Sequence, residues 1–152
     1  MKRLLCAVVA VILAVALVSC GEKSQTVKYR IEEETEGINI VETMTFEAEG
    51  DKIVKMIDEI EVDFSSFDES TAELLVEGFE EMVDSYNSVD GVNCTSNVSG
   101  SVFTLKADID VNGNTVDKLD ELGLLTLTGD GENLSLKVTE EGLASSGYEK
   151  IS

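Results

Sequence analysis

The chain has 152 residues, 11 basic against 31 acidic side chains, a formal net charge of −20, and no histidine, tryptophan or proline. A field of that sign repels phosphate backbones and acidic headgroups, which argues against nucleic acid and against electrostatic docking on membranes. Without histidine there is no Ser-His-Asp or Cys-His nucleophile and no His-ligated zinc.

The N-terminus has three zones. Lys2 and Arg3 supply positive charge, Leu4 to Val18 is apolar throughout, and Leu17-Val18-Ser19-Cys20 closes the stretch. A charged start, a short apolar core and small residues at the cut make a secretory signal. The 15 apolar residues fall short of the roughly 20 that a permanent membrane-spanning helix needs. The last four residues resemble the bacterial lipobox, in which the cysteine thiol receives a diacylglyceryl group and cleavage just before it makes cysteine the first residue. The expectation is a lipoprotein signal peptide over 1–19, lipid on Cys20, a lipidated tether over 20–26 and one domain over 27–152. Ala14-Val15-Ala16 also fits ordinary cleavage after Ala16, and an uncleaved anchor is a third reading. Loss of Lys2 and Arg3 takes the net charge from −20 to −22. The acids are spread along the chain, which suits solubility of an exported domain. Cys6 leaves with the signal and Cys20 is taken by lipid, so Cys94 stands alone as a buried small hydrophobe.

Patterning begins after the polar run to Thr26. Val27, Tyr29 and Ile31 alternate with polar residues in a strand ending near Thr35, and Glu36-Gly37 turns. Ile38, Ile40, Met44, Phe46 and Ala48 form the apolar face of a long second strand, interrupted by Glu42. Gly50-Asp51 is a two-residue hairpin loop. The return strand puts Val54, Met56, Ile60, Val62 and Phe64 on one face, with Asp58 the exception. Asp68 caps a helix whose Leu75, Phe79, Met82, Val83 and Tyr86 share a face, and Gly78 weakens its interior. A second hairpin follows, with Val92, Cys94 and Val98 alternating, a turn at Ser99-Gly100, and Phe103, Leu105, Ala107, Ile109 and Val111 alternating back. Asn114 is expected to cap a short helix over Thr115–Leu122, stopped by Gly123. Leu124, Leu125 and Leu127 form a buried connection, Gly129-Asp130-Gly131 a loop, and Ser135–Ser146 a last helix followed by Gly147. Tyr148–Ile151 adds a terminal strand. The fold class is α+β: an antiparallel sheet, made of a three-stranded meander plus a second hairpin, packed against about three helices in two layers.

The order of features resembles the small bacterial lipoproteins of the YehR type, a domain family of unknown function. The resemblance rests on Gly50-Asp51-Lys52-Ile53 with the strand to Asp63-Phe64, the helix around Phe79, and Val89-Asp90-Gly91-Val92. It continues through Asp108-Ile109-Asp110 and Gly147-Tyr148-Glu149-Lys150. It covers nearly all of the mature chain and implies a compact α+β domain on a lipid anchor. It brings no catalytic residues to transfer. Members of that family are often lysine-rich, and the acidity of this chain is a departure from them.

Few residues suggest chemistry. Asp108-x-Asp110-x-Asn112-Gly113 matches the start of a calcium loop, but position 12 is Leu119 where a bidentate glutamate belongs, and a strand precedes it. Asp108, Asp110 and Asn112 are therefore a weak metal candidate only, and no metal or other cofactor is expected beyond the covalent lipid on Cys20. Glu32-Glu33-Glu34, and Asp58-Glu59 with Glu61 and Asp63, are acidic clusters of the kind that chance produces in so acidic a chain. The expected function is that of a non-enzymatic, monomeric lipoprotein held at the cell membrane on its extracytoplasmic side. It would bind an envelope protein, peptide or other component, with a cation- or small-ligand-binding module as the alternative. No nucleic acid partner is expected.

Overall fold

The computed structural model describes residues 23–35, 37–125 and 134–152. Six strands form one antiparallel sheet. They are β1 (Ser24–Thr35), β2 (Ile38–Glu49), β3 (Lys52–Asp63), β4 (Val92–Ser99), β5 (Val102–Asp110) and β6 (Glu149–Lys150). Their spatial order is β4-β5-β3-β2-β1-β6. The meander and the second hairpin are therefore one sheet, joined where β5 pairs with β3. Three helices cover one face: α1 (Glu69–Asn87), α2 (Gly113–Glu121) and α3 (Leu136–Ser145).

The alternation along β2 works as its sequence suggests, and Phe46 and Ala48 lie in the core. On β3 the pattern needs correction. Lys55 pairs with Glu47 but Ile53 pairs with Ala48, so Val54 is an extra residue at a bulge. The bulge swaps parity, and Ile53 is fully buried where Val54 was expected to be. β1 starts at Ser24, so the last three residues of the expected tether belong to the sheet. The second turn is Gly100-Ser101, one residue later than expected.

Each helix has a recognisable start. Asp68 accepts from the Thr71 N–H at 3.1 Å at the head of α1. Hydroxyls of Ser70 and Thr71 also donate to Asp68, and these bonds hold its carboxyl down to about 2. The face of α1 facing the sheet carries Phe79, whose ring lies 5.1 Å from Phe103 and 5.9 Å from Phe64. α2 begins earlier than expected, because Asn112 and not Asn114 caps it, accepting from Thr115 N–H at 3.1 Å. Both asparagines suit a cap, and the hydroxyl of Thr115 fixes the earlier one by donating to the Asp90 carbonyl at 2.9 Å. α2 and α3 end alike. Gly123 (φ 70°) and Gly147 (φ 92°) take the left-handed conformation, and the next residue, Leu124 or Tyr148, donates back to Leu119 or Leu143. Side chains of the three helices and the covered sheet face form one core, including Phe64, Phe103, Ile109, Val116 and Leu119. Leu124 and Leu125 pack against this core as expected. Leu127 and the Gly129-Asp130-Gly131 loop lie outside the described residues.

Candidate functional site

Cys20 lies outside the described residues, but its point of attachment is placed. The Gly50 N–H donates to the Lys23 carbonyl at 3.1 Å, and the Gln25 carboxamide donates to the Gly50 carbonyl at 2.6 Å. The β2–β3 turn therefore grips the chain just after Cys20. The same turn is tied to α3: Asp51 accepts from the Ser135 hydroxyl at 2.7 Å and the Lys137 N–H at 2.9 Å. These bonds hold the Asp51 carboxyl below its usual range, the Lys137 bond first.

The acidic clusters are divided by the sheet. Glu59, Glu61 and Asp63 fall on the open face, while Asp58 turns inward under the helices. It sits in a row that crosses the sheet through Cys94, Ala107, Asp58, Met44 and Tyr29. Asp58 is 5% exposed, and its Oδ1 has no hydrogen-bond partner among the described residues. Burial raises its carboxyl to about 7, helped by the negative charges of Glu42 and Glu59. Glu42, paired with Ile60, is its diagonal neighbour roughly 7 Å away by sheet geometry. Burial raises the Glu42 carboxyl too, against the lowering effect of the Tyr148 hydroxyl, which donates to it at 2.8 Å. Burial, with Asp58 adding its charge, pushes the Cys94 thiol up to about 11, so Cys94 is the inert small hydrophobe its position implies. The two acids appear in the sequence only as breaks in apolar faces. Their pairing follows from the strand register, which the sequence does not display.

A few of the remaining charged groups are paired. On the open face Lys55 meets Asp108 at 3.2 Å, Lys106 meets Glu59 at 3.7 Å and Arg30 meets Glu32 at 3.5 Å. Of the weak calcium candidate, Asp108 is held by Lys55, and Asn112 is used in the first turn of α2. Among the described residues no group of three or more acidic or cysteine side chains is placed to hold a metal ion. The Gly147-Tyr148-Glu149-Lys150 segment proves structural throughout. Gly147 ends α3, Tyr148 reaches Glu42, Glu149 pairs with Arg30, and Lys150 binds Glu140 at 2.6 Å. Glu140 also accepts from the Tyr29 hydroxyl at 2.8 Å.

A largely apolar cavity of about 280 Å³ lies between α3 and the sheet, lined by Met44, Phe46, Met56, Leu134 and Leu143 among others. It falls below the roughly 300–1,000 Å³ of sites for drug-sized ligands. No described helix is long and apolar enough to cross a membrane.

Comparison with known proteins agrees with the fold. A family model described as "Protein of unknown function (DUF1307)" matches residues 25–149. The chain is 22% identical over 141 residues to the uncharacterized lipoprotein Lin0239 of Listeria innocua, covering 92% of this chain and 90% of the relative. The Escherichia coli YehR protein, solved by NMR, superposes with a TM-score of 0.64 at 17% identity, covering 86% of this chain and 92% of that one. A protein from Streptococcus pneumoniae TIGR4 superposes with a TM-score of 0.56 at 11% identity, covering 85% and 86%. At those identities the two structures speak for the fold alone.

Proposed function

The chain belongs to the DUF1307 family of proteins of unknown function, and from that premise we propose that it is a monomeric, extracytoplasmic bacterial lipoprotein. Cys20 carries a diacylglyceryl lipid, and the domain is a non-enzymatic module that binds a protein, peptide or envelope component. The observation that carries the reading is Leu17-Val18-Ser19-Cys20, placed directly before a domain whose first described residue is already bound to the sheet. The full-length similarity to a Listeria lipoprotein supports it. The non-enzymatic part of the reading is supported by what the acids do: Asp58 and Glu42 lie under the helices, and the open-face acids Glu59 and Asp108 meet lysines.

From Cys20 to Lys23 the chain spans at most about 10 Å. The turn at Gly50-Asp51 and the start of α3 then face the bilayer, and the hairpin turn at Gly100-Ser101 and the start of α1 face away. Each buried methylene of the lipid contributes about 0.8 kcal/mol, so two or three acyl chains hold the domain without help from its charge. Replacing Cys20 by alanine is expected to release a folded protein from the membrane fraction. A Cys20→Ala chain that stays with the membranes after losing its apolar segment over 4–18 would overturn the reading.

A further inference from the structure

β4 is unlike the rest of the surface. Between Asp90 and Lys106 lie 15 consecutive residues without a charge, in a chain that is 28% charged. An edge strand exposes unpaired N–H and C=O groups, and proteins blunt such edges with charge, proline, bulges or a covering segment. The opposite edge obeys that rule. β6 and the C-terminal residues pair with Lys28, Tyr29 and Arg30 of β1, and the uncovered remainder carries Glu32, Glu33 and Glu34. β4 has no charge and no proline, and it pairs with β5 without a register shift.

The direction of each backbone group on β4 follows from the ladder. The Gly91 carbonyl accepts from the Asp110 N–H at 2.8 Å, so Asn93, Thr95 and Asn97 bond to β5, while Val92, Cys94, Ser96 and Val98 turn their groups outward. Val92 is satisfied at its N–H and Cys94 at both groups. Val92 N–H donates to the Val89 carbonyl at 3.2 Å. Cys94 is closed on both sides by Asn87, whose Nδ2 donates to its carbonyl at 2.9 Å and whose Oδ1 accepts from its N–H at 2.8 Å. The Asn87 carboxamide thus stands where the peptide group of a neighbouring strand would. Past Asn87 the protection stops. Ser96 and Val98 have no such partner among the described residues, and Val98 is 47% exposed. The helix packed along this strand, α1, carries six acids (Glu69, Glu73, Glu77, Glu80, Glu81 and Asp84) and no basic residue.

We propose that the Ser96–Ser99 edge of β4 is a strand-addition site for an extended, basic peptide segment of a partner protein. Backbone bonds to Ser96 and Val98 set the register, as in other cases where a peptide adds to a sheet edge. The acids of α1 select the sign of the incoming side chains on the covered face. A second copy is the poorer fit, because two domains of charge −22 repel at this edge. The proposal rests on the binding-module reading above and names its partner class.

The test is fluorescence anisotropy of a labelled short peptide alternating lysine and valine, titrated at low salt into the full-length chain in neutral detergent. Saturable binding is expected, and none for the same peptide with glutamate in place of lysine. Val98→Pro removes one outward N–H and leaves the β5 ladder intact, since an edge strand tolerates proline on its solvent side. It is expected to weaken binding about tenfold. Should circular dichroism find that variant unfolded, a peptide N-methylated at alternate residues carries the same test on the native chain. Absence of binding, or equal binding by the Val98→Pro chain or the N-methylated peptide, overturns the proposal. So does self-association that Val98→Pro abolishes, which would make a second copy the occupant. Binding in detergent does not depend on lipid at Cys20, so failure here and failure of the anchoring test remain distinguishable.

Discussion

A single carboxyl, Asp58, sets an expected pH dependence of stability. It lies on the central row of the covered face and is faced by Glu42 and Met44 from β2, Tyr86 from α1, Cys94 and Ala107 from the hairpin, and Tyr148 after α3. With its carboxyl raised to about 7 from 3.8, the folded state keeps a proton that the unfolded state gives up. Stability from this group is therefore full below about pH 4, falls as pH rises toward 7, and is flat above that. The penalty above pH 7 is of order 3–4 kcal/mol. Asp58→Asn is expected to match the parent chain near pH 4 and to exceed it by about 3–4 kcal/mol at pH 8, read from urea midpoints. Parallel pH curves for the two chains would refute this account of Asp58. Glu42 makes the complementary case. Tyr148→Phe removes its donor and is expected to cost about 1–3 kcal/mol at neutral pH, with a smaller loss in acid where Glu42 is protonated.

At the level of the element, α1 carries an avoidable weakness. A Cβ built on Gly78 meets nothing within 4 Å, so no close approach to the sheet explains the glycine there. Gly78→Ala is expected to stabilise by about 1 kcal/mol and to raise Tm by about 3 °C in a thermal melt. A lower Tm would mean that Gly78 has a packing partner outside the described residues. The helices and strands were mostly legible in the sequence because their apolar periods are long and unbroken, as in β2 and α1. The bulge at Val54 was not, because Ile53 and Val54 are both apolar and only the pairing with Glu47 and Ala48 decides between them. The start of α2 was hidden for a similar reason: Asn112 and Asn114 are equally good caps, and the contact of Thr115 with Asp90 is long-range.

At the level of the whole molecule, strand alternation shows which residues face inward but not which strands adjoin. The join of β5 to β3 therefore could not be read, while the meeting of Asp58 with Glu42 was hidden by the bulge at Val54, which shifts the register of β3 on β2. The contrast between the two sheet edges was hidden for the same reason as that join, although the uncharged run from Gly91 to Leu105 was in plain view. The anchoring end is the reverse case. The stretch that resembles a lipobox is local, and the structure adds only that Lys23 is bound to the turn at Gly50. Under the lipoprotein reading, that end is committed to the membrane and the far end, with Val98 and the start of α1, is presented outward. The intact mass of the chain purified from membranes tests this most directly. The account predicts a polypeptide beginning at Cys20 and heavier than its sequence by a diacylglyceryl group. An unmodified chain beginning at Leu17, or one retaining Met1, would contradict it.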